Sequence, residues 1–409
     1  MEGRSRVPHD RSLLFVANHP NALLDPLVLR VAVGLPVRFL GKSTLFNALT
    51  QTAAAQAANY PFCTIDPSVG VVPVPDERLY KLAEFSKTQK TIPAIIEFVD
   101  IAGLVKGASE GEGLGNKFLQ NIREVDAILE IVRIFDDSNV IHVHGGVDPV
   151  SDIEVINLEL VLADQDTVIK RISNVQKDVK RGESNPSDAR GKEAIFEVEV
   201  LEKAKAQLDA GKLLNQLEWN EKEALVVKGL HLLTMKPIMY GLNKKAGAPN
   251  LENTPDGRWE KLMNFMKEQK AQYVIIDAGI ENELKDFEGS ERDEMREALL
   301  GDLSSDASAK EDGIDDLIKA GYLLLNLITY FTTGEKETRA WTIGRGWTAP
   351  LAGTAIHTDF KDKFIRAEVV FWKDLLDASS YGIAREKGLV RTEGKEYIVK
   401  DGDVMEFRI

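Results

Sequence analysis

Residues 41–50 read GKSTLFNALT, in which a glycine, a lysine and two hydroxyl side chains lead into an apolar helical pattern. Backbone N–H groups at the start of a helix attract phosphate oxygens. Lys42 adds positive charge near the β and γ phosphates, and the Ser43 hydroxyl can ligate magnesium. The stretch therefore predicts a phosphate-binding turn at the start of a helix.

A second motif, DIAG at 100–103, follows an apolar run at 95–99 that predicts a buried strand. We expect the Asp100 carboxylate to hold the magnesium shell through water and the Gly103 N–H group to contact the γ-phosphate. Turns of this composition are common by chance, so the motif gains its weight from the strand before it.

A third motif, NKKA at 243–246, follows the apolar run at 237–242, where a loop that contacts the base belongs. Asn243 and Lys244 are the candidate residues for base contact. Each of the three motifs is weak alone. Their order along the chain and their place after strands together predict a nucleotide-binding domain of the α/β class.

The composition is that of a soluble globular protein: 44% of the 409 residues are apolar, 28% are charged, and the net charge is −14. Two or three domains are expected at this length. The negative charge argues against indiscriminate coating of nucleic acid, and no DNA partner is expected. Because no window holds about 18 uninterrupted apolar residues, we expect no membrane span and no membrane partner.

Cysteine and histidine usage narrows the chemistry further. A single cysteine, Cys63, excludes an internal disulfide framework and suits the reducing cytoplasm. The six histidines form no ligand-spaced cluster with cysteine, so a zinc site is not expected.

Apolar strands and amphipathic helices alternate from about 27 to 155, the pattern of a parallel α/β sheet. From 152 to about 227, leucines and valines recur at helical spacing amid dense charge, which predicts two long helices with a turn near 182–186. Strand character returns at 237–242 and 272–276. The helical pair is therefore expected as an insertion in the α/β domain.

The last part of the chain has a different pattern. An acidic helical stretch at 282–317 precedes short apolar runs at 340–343, 364–371 and 397–399, which are separated by glycines. We expect a small, β-rich C-terminal module that starts at about residue 323.

Four long segments closely resemble the YchF, or Obg-like ATPase, family: residues 60–74, 97–118, 155–166 and 355–367. The resemblance extends from about Gly41 to the C-terminus. It implies a discontinuous P-loop nucleotide-binding domain (27–151 and 230–310), an inserted α-helical coiled-coil hairpin (152–229), and a TGS domain of β-grasp type (323–409). It also implies ATP preferred over GTP and a ribosome partner.

The same resemblance implies roles for particular positions. Magnesium ligands are expected at Ser43, Thr64 and Asp100. The resemblance also implies that Gly103, Leu104 and His142 occupy positions that take part in hydrolysis. Nucleotide contacts are expected from Gly34, Gly41, Lys42, Ser43, Thr44, Asn243 and Lys244.

Leu104 lies where Ras-like proteins place a glutamine that orients the attacking water. Leucine cannot orient water, so turnover is expected to be slow unless another group takes that role. The candidate that the family offers is His142, and the alternative is an ordinary loop histidine beside His144. The four glycines of 107–115 fit a mobile switch segment or a merely flexible loop.

The phosphate loop departs from the family in its front half. The family has GLPNVGKS, whereas residues 33–43 read VGLPVRFLGKS, with six residues instead of four between Gly34 and Gly41. Pro36 fills the position of the first glycine, where it removes a donor and disfavours the positive φ that such a loop requires. A binding protein of the same fold with impaired nucleotide binding is therefore an alternative function.

Residues 12–40 resemble the start of a glycerolipid acyltransferase, in which a histidine lies a few residues before an aspartate, here His19 and Asp25. His19 would act as the general base. A recombined or misassembled N-terminus, an atypical segment over 1–26, is the simplest hypothesis, and a surviving acyltransferase fragment is a remote alternative. Three segments are candidates for the first strand of the sheet: 13–17, 27–33 and 36–40.

Ala246 has no acceptor for the guanine N1 and N2 donors, which weakens the case for GTP selectivity. Basic residues concentrate near the turn of the helical pair, where they form either an RNA-facing edge or a solvated helical face. They are Lys170, Arg171, Lys177, Lys180, Arg181, Arg190 and Lys192.

Overall fold

The computed structural model describes residues 12–18, 44–50, 69–100, 122–136, 147–185, 187–287, 289–300 and 313–409. These residues divide into two compact units. Unit 1 consists of the described parts of Leu49–Phe98 and Ile314–Ile409. Unit 2 consists of the described parts of Ser12–Ala48 and Val99–Gly313.

Strands occur in both units. In chain order within the described residues they are β1 (Ser12–Asn18), β2 (Val69–Pro73), β3 (Thr91–Ile92), β4 (Ile95–Asp100), β5 (Ala127–Arg133), β6 (Ile238–Asn243), β7 (Gln272–Ile276), β8 (Leu327–Thr332), β9 (Thr338–Gly344), β10 (Arg366–Phe371), β11 (Arg391–Glu393) and β12 (Asp403–Arg408).

The helices are α1 (Glu77–Phe85), α2 (Pro149–Ser184), α3 (Ala189–Asp209), α4 (Glu221–Lys228), α5 (Arg258–Glu268), α6 (Ala278–Glu283), α7 (Gly289–Leu300), α8 (Ile314–Leu324), α9 (Ala349–Gly353), α10 (Asp359–Lys363), α11 (Trp372–Asp377) and α12 (Tyr381–Glu386). Short 3-10 turns occupy Leu214–Gln216, Leu233–Met235, Leu251–Asn253 and Leu284–Asp286. Residues 44–50 and 122–124 are also helical. No helix in the described ranges is both long enough and apolar enough to cross a membrane.

Unit 2 contains four parallel strands in the order β1-β5-β6-β7. Every residue of β5 is buried, as expected for a strand covered on both faces. The runs at 95–99, 127–135, 237–242 and 272–276 that predict strands coincide with β4 to β7 to within two residues. β1 lies inside 1–26, the segment that the sequence sets apart from the nucleotide-binding domain.

Helix α2 covers one face of this sheet. The helix begins at Pro149 and is capped by Asp148, whose side chain accepts a hydrogen bond from the Ser151 N–H group at 3.2 Å. Ile153, Ile156 and Leu160 bury their side chains against apolar residues of β5 and β6. The first third of α2 is therefore part of the core of unit 2.

The remainder of α2 packs along α3. A cluster of buried valines, leucines and alanines lies between the two helices and α4. The chain turns between Ser184 and Ala189, and Gly182 and Gly191 meet there: a Cβ atom on Gly191 would lie 2.3 Å from the Gly182 Cα. Only residues without a side chain permit the helices to approach so closely.

Unit 1 contains a sheet in the order β11-β10-β12-β8-β9-β3, with parallel pairing at β12–β8 and β3–β9. Its core surrounds the fully buried Tyr330. Helix α1 belongs to this unit because Arg78 hydrogen-bonds to Asp76 and Asp401 at 2.7 Å each. The unit thus takes in residues before β4 as well as the expected C-terminal module.

The expected strand at 397–399 is wrong. Only Ile398 makes a β-contact there, an isolated antiparallel bridge to Thr348. The Tyr397 carbonyl accepts from the Ala349 N–H group at 2.8 Å, and the Val399 N–H group donates to the Trp347 carbonyl at 3.0 Å. The backbone pairing is limited to this one bridge, so the segment does not form a strand.

Candidate nucleotide-binding site

The phosphate side of the expected site is described in part. Thr44 is the first described residue of the helical segment 44–50, in which Leu45 and Ala48 are fully buried. Asp100 is the last residue of β4 and is partly exposed. The other expected residues of this side lie outside the described residues: Gly34, Gly41, Lys42, Ser43, Thr64, Gly103, Leu104 and His142.

The expected base-contact residues lie at the end of β6. Asn243 is opposite Ile276 in the parallel pairing of β6 with β7, and the Lys244 N–H group donates to the Ile276 carbonyl at 2.8 Å. The Asn243 side chain is buried, and its Oδ1 accepts from the Ala278 N–H group at 3.0 Å. Both residues are thus at the carboxyl ends of parallel strands, the edge where such sheets bind ligands.

Asn250 fixes the backbone of the loop that follows. Its Oδ1 accepts from the Lys245 N–H group at 3.0 Å, and its Nδ2 donates to the Lys245 carbonyl at 3.1 Å. Asn250 is buried and forms an isolated β-bridge with Phe135. Gly247, which lies between Lys245 and Asn250, has a φ of 73° and so permits the turn that brings these two residues together. Asn250 lies outside the motif at 243–246, so the motif does not indicate that Asn250 holds this loop.

Asp277 holds the same loop from the other side. Its Oδ2 accepts from the Ala246 N–H group at 2.6 Å, while its Oδ1 accepts from the N–H groups of Gly279 and Ile280 at 2.9 and 3.1 Å. Asp277 is therefore both the N-cap of α6 and a support for the base loop. Sequence reasoning missed it, although an aspartate between a strand and a helix is a recognisable cap signal.

Two cations contact the ring of Phe135 beside this loop. The Arg133 guanidinium lies 5.7 Å and the Lys245 Nζ 5.8 Å from the ring centroid, within the range of cation–π attraction. Burial raises the pKa of Asp152 to about 6; Asp148 adds to the rise and Arg133 opposes it. Arg133 is buried, so this end of β5 holds a buried positive charge.

Comparison with known proteins decides the family. A sequence model named YchF-GTPase_C matches residues 327–409, and one described as a 50S ribosome-binding GTPase matches residues 33–171. The ribosome-binding ATPase YchF of Bacillus subtilis is 50% identical over 380 residues, which cover 92% of this chain and 97% of that protein. The chain belongs to the YchF family. The ribosome-binding ATPase YchF of Escherichia coli O157:H7 is 48% identical over 375 residues, with the same coverage.

Solved structures give the same result for the fold. The YchF GTPase of Schizosaccharomyces pombe superposes with a TM-score of 0.79 at 32% identity, over 99% of each chain. A GTP-binding protein from Pyrococcus horikoshii OT3 has a TM-score of 0.55 at 17% identity over 97% of this chain and 99% of that one, a likeness of fold alone. The chain thus has the P-loop GTPase fold with mixed α/β sheets, and the expected YchF resemblance is confirmed.

The N-terminal hypotheses stay predictions. The GTPase match begins at residue 33, so the first 32 residues precede it. The names of the Bacillus subtilis and Escherichia coli relatives do not favour acyl transfer by residues 12–40. His19 and Asp25 lie outside the described residues.

Proposed function

We propose that this YchF-family chain binds ATP, and GTP less well, hydrolyses it slowly, and acts as a regulatory switch on the ribosome. The observation that supports this best is the base loop: Asn243 and Lys244 lie at the carboxyl ends of β6 and β7, and buried side chains fix the loop on both sides. A loop held in one conformation before the ligand arrives loses little entropy on binding. The names of the relatives, ribosome-binding ATPases, supply the activity and the partner.

Magnesium fits the proposed phosphate side. Asp100 ends a strand and offers carboxylate oxygens, the ligand type that magnesium prefers. We assign Ser43 and Thr64 as further ligands, with Gly34, Gly41, Lys42 and Thr44 around the phosphates. A magnesium ion held there would neutralise phosphate charge. We assign Gly103, Leu104 and His142 to the hydrolysis side.

The domain organisation is part of the proposal. The nucleotide-binding domain spans 27–151 and 230–310, and 152–229 forms a coiled-coil hairpin inserted in it. The long helices α2 and α3, packed along a shared apolar seam, support the hairpin. Residues 323–409 form a TGS domain, supported by the sheet of β8 to β12. A ribosome partner supports a cytoplasmic location for the protein.

The turn between α2 and α3 supports contact with ribosomal RNA. Several of its basic residues are held by acids: Arg171 by Glu197 at 2.5 Å and Arg190 by Asp178 at 3.0 Å. Lys170 is exposed and lies 3.9 Å from Asp166. Three further lysines are exposed nearer the turn: Lys177, Lys180 and Lys192. Exposed lysines bind phosphates by charge, so binding should weaken steeply with salt.

Co-sedimentation with ribosomes tests the partner. The triple variant Lys177→Glu, Lys180→Glu, Lys192→Glu should lose most of its ribosome binding at low salt. A matched triple, Lys222→Glu, Lys228→Glu, Lys267→Glu, makes the same charge change at exposed lysines of α4 and α5 and should bind like the native chain. Equal binding by both triples, or equal loss, contradicts an RNA contact at this edge.

A further inference from the structure

Helix α2 carries a second row of apolar side chains on the side that faces away from the sheet. Val155, Leu158, Leu162 and Ile169 are each between 38% and 51% exposed. Successive members are three, four and seven positions apart, so they lie along one line of the helix, and Gln165 fills the gap in that line. We call the four apolar residues the outer stripe.

The core of unit 2 uses other sides of the same helix. Ile153, Ile156 and Leu160 contact the sheet, and Val161 and Val168 belong to the cluster shared with α3 and α4. A surface helix normally carries polar side chains opposite its core side. An uncharged, apolar row with heptad spacing is instead typical of the seam along which a second helix packs.

The charges beside the outer stripe decide which kind of helix fits. From Pro149 to Ile169, α2 has five acidic residues and no lysine or arginine. Glu154 and Asp166 are exposed and lie within one turn of the stripe, on opposite sides of it. Asp166 has Lys170 at 3.9 Å, but both side chains are exposed, so water screens that pair. Two copies paired through the stripe would bring like charges together, whereas a basic partner would gain from both acids.

The side of the stripe next to α3 adds no net charge. Gln165 Nε2 donates to Asp209 Oδ1 at 3.1 Å, and Lys205 Nζ lies 2.5 Å from the other oxygen of the same aspartate. The basic residues of α2 begin only at Lys170 and continue toward the turn. The outer stripe is therefore separate from the basic turn, and its acids would repel the phosphates of RNA.

We propose that the outer stripe is a docking surface for an amphipathic helix of a basic protein. The partner helix lays its apolar side along residues 155–169, over about 22 Å or about four turns, and brings lysine or arginine side chains to Glu154 and Asp166. Burial of the apolar side chains supplies the affinity, and the two acids supply the selectivity. The proposal does not depend on nucleotide binding.

A designed helical peptide tests this chemistry on the full-length protein. The probe has about 18 residues, with leucine at heptad positions a and d and lysine elsewhere, and a matched peptide has glutamate in place of lysine. Fluorescence anisotropy should show saturable binding of the lysine peptide and at least about tenfold weaker binding of the glutamate peptide. Absence of saturable binding of the lysine peptide to the native chain overturns the proposal.

Paired variants locate the binding surface. Leu158→Gln with Leu162→Gln should weaken binding of the lysine peptide by about tenfold or more, since two apolar anchors are lost. Leu225→Gln with Leu323→Gln makes the same change at two more exposed leucines of α4 and α8 and should bind like the native chain. Equal binding by the two double variants overturns the proposal.

The charge and the occupant have tests of their own. Glu154→Gln with Asp166→Asn should weaken binding of the lysine peptide by about threefold or more at low salt, and the difference should shrink at high salt. Unchanged affinity contradicts a basic partner. In analytical ultracentrifugation, self-association of the native chain that Leu158→Gln with Leu162→Gln abolishes would assign the stripe to a second copy. A much larger loss of stability in urea for that variant than for its control would assign the stripe to the core.

Discussion

Arg258, the first residue of α5, donates to both carboxylate oxygens of Asp136 at 3.0 and 2.7 Å and to the Val147 carbonyl at 3.0 Å. Arg258 thereby links Asp136 and Val147, which are eleven positions apart in sequence. Hydrogen bonds to Asp136, and then to Asp256, raise the pKa of Arg258 above its usual value. Asp136 and Val147 also flank the segment that contains His142.

Replacing Arg258 with methionine should lower the free energy of unfolding by about 1–2 kcal/mol, because paired hydrogen bonds from a planar guanidinium are lost. Lys261→Met is the matched control. Lys261 contacts Asp148 at 3.0 Å with both side chains about half exposed, so its loss should cost less than about 0.5 kcal/mol. Urea denaturation measures both, and equal effects contradict a special role for Arg258.

Asp164 joins α2 to the turn before β6. Its carboxylate is fully buried and accepts from the N–H groups of Leu233 and Thr234 at 2.9 and 2.7 Å and from the Thr234 hydroxyl at 2.7 Å. Asp164→Asn puts an amide donor among these donors and should cost about 2–4 kcal/mol. Asp166→Asn, on the exposed side of the same helix, should cost less than about 0.5 kcal/mol; a similar loss there would contradict the assignment.

Asp152 should make stability depend on pH. Burial raises its pKa to about 6 in the folded chain, against about 4 in an unfolded one. The folded state therefore holds this proton more tightly, and its contribution to stability is lost as the pH rises from 4 to 6. Relative to the native chain, Asp152→Asn should become more stable by about 1–2 kcal/mol between pH 4 and pH 7. Unfolding curves at both values check this, and a constant difference refutes it.

His142 is the proposed substitute for the water-orienting group that Leu104 cannot supply. His142→Ala should lower kcat for ATP about 100-fold, as loss of an acid–base or water-orienting group does, with little change in the Kd for ATP. His144→Ala, two residues away, is the control and should remain within about threefold of the native kcat. Equal rates for the two variants would leave His142 as an ordinary loop histidine.

Local patterns were sufficient for much of the fold. β4 to β7 follow from apolar runs of strand length. The reason is clearest for β5 and β6, since buried parallel strands admit few other residues. The long helices α2 and α3 follow from the spacing of leucine and valine. The extent of unit 1 could not be predicted, because the contact of Arg78 with Asp401 joins residues 323 positions apart.

The candidate site was predictable only where its motif is contiguous. Asn243 and Lys244 come directly after an apolar run, and the structure makes Asn243 the last residue of β6 with Lys244 next to it. Asn250 and Asp277 hold the loop backbone from outside the motif. The sequence marks Asp277 only as a helix cap, and the motif gives no sign that either residue contacts this loop. The strand at residues 12–18 was one of three options, since its choice depends on pairing with β5.

The central claim is that this chain binds a nucleoside triphosphate despite Pro36 in its phosphate loop. Titration with ATP and GTP, with and without magnesium, tests this most directly. We predict saturable, magnesium-dependent binding of ATP that Lys42→Ala abolishes, since that lysine pairs with the phosphates. Absence of saturable binding of either nucleotide at millimolar concentration would contradict the account.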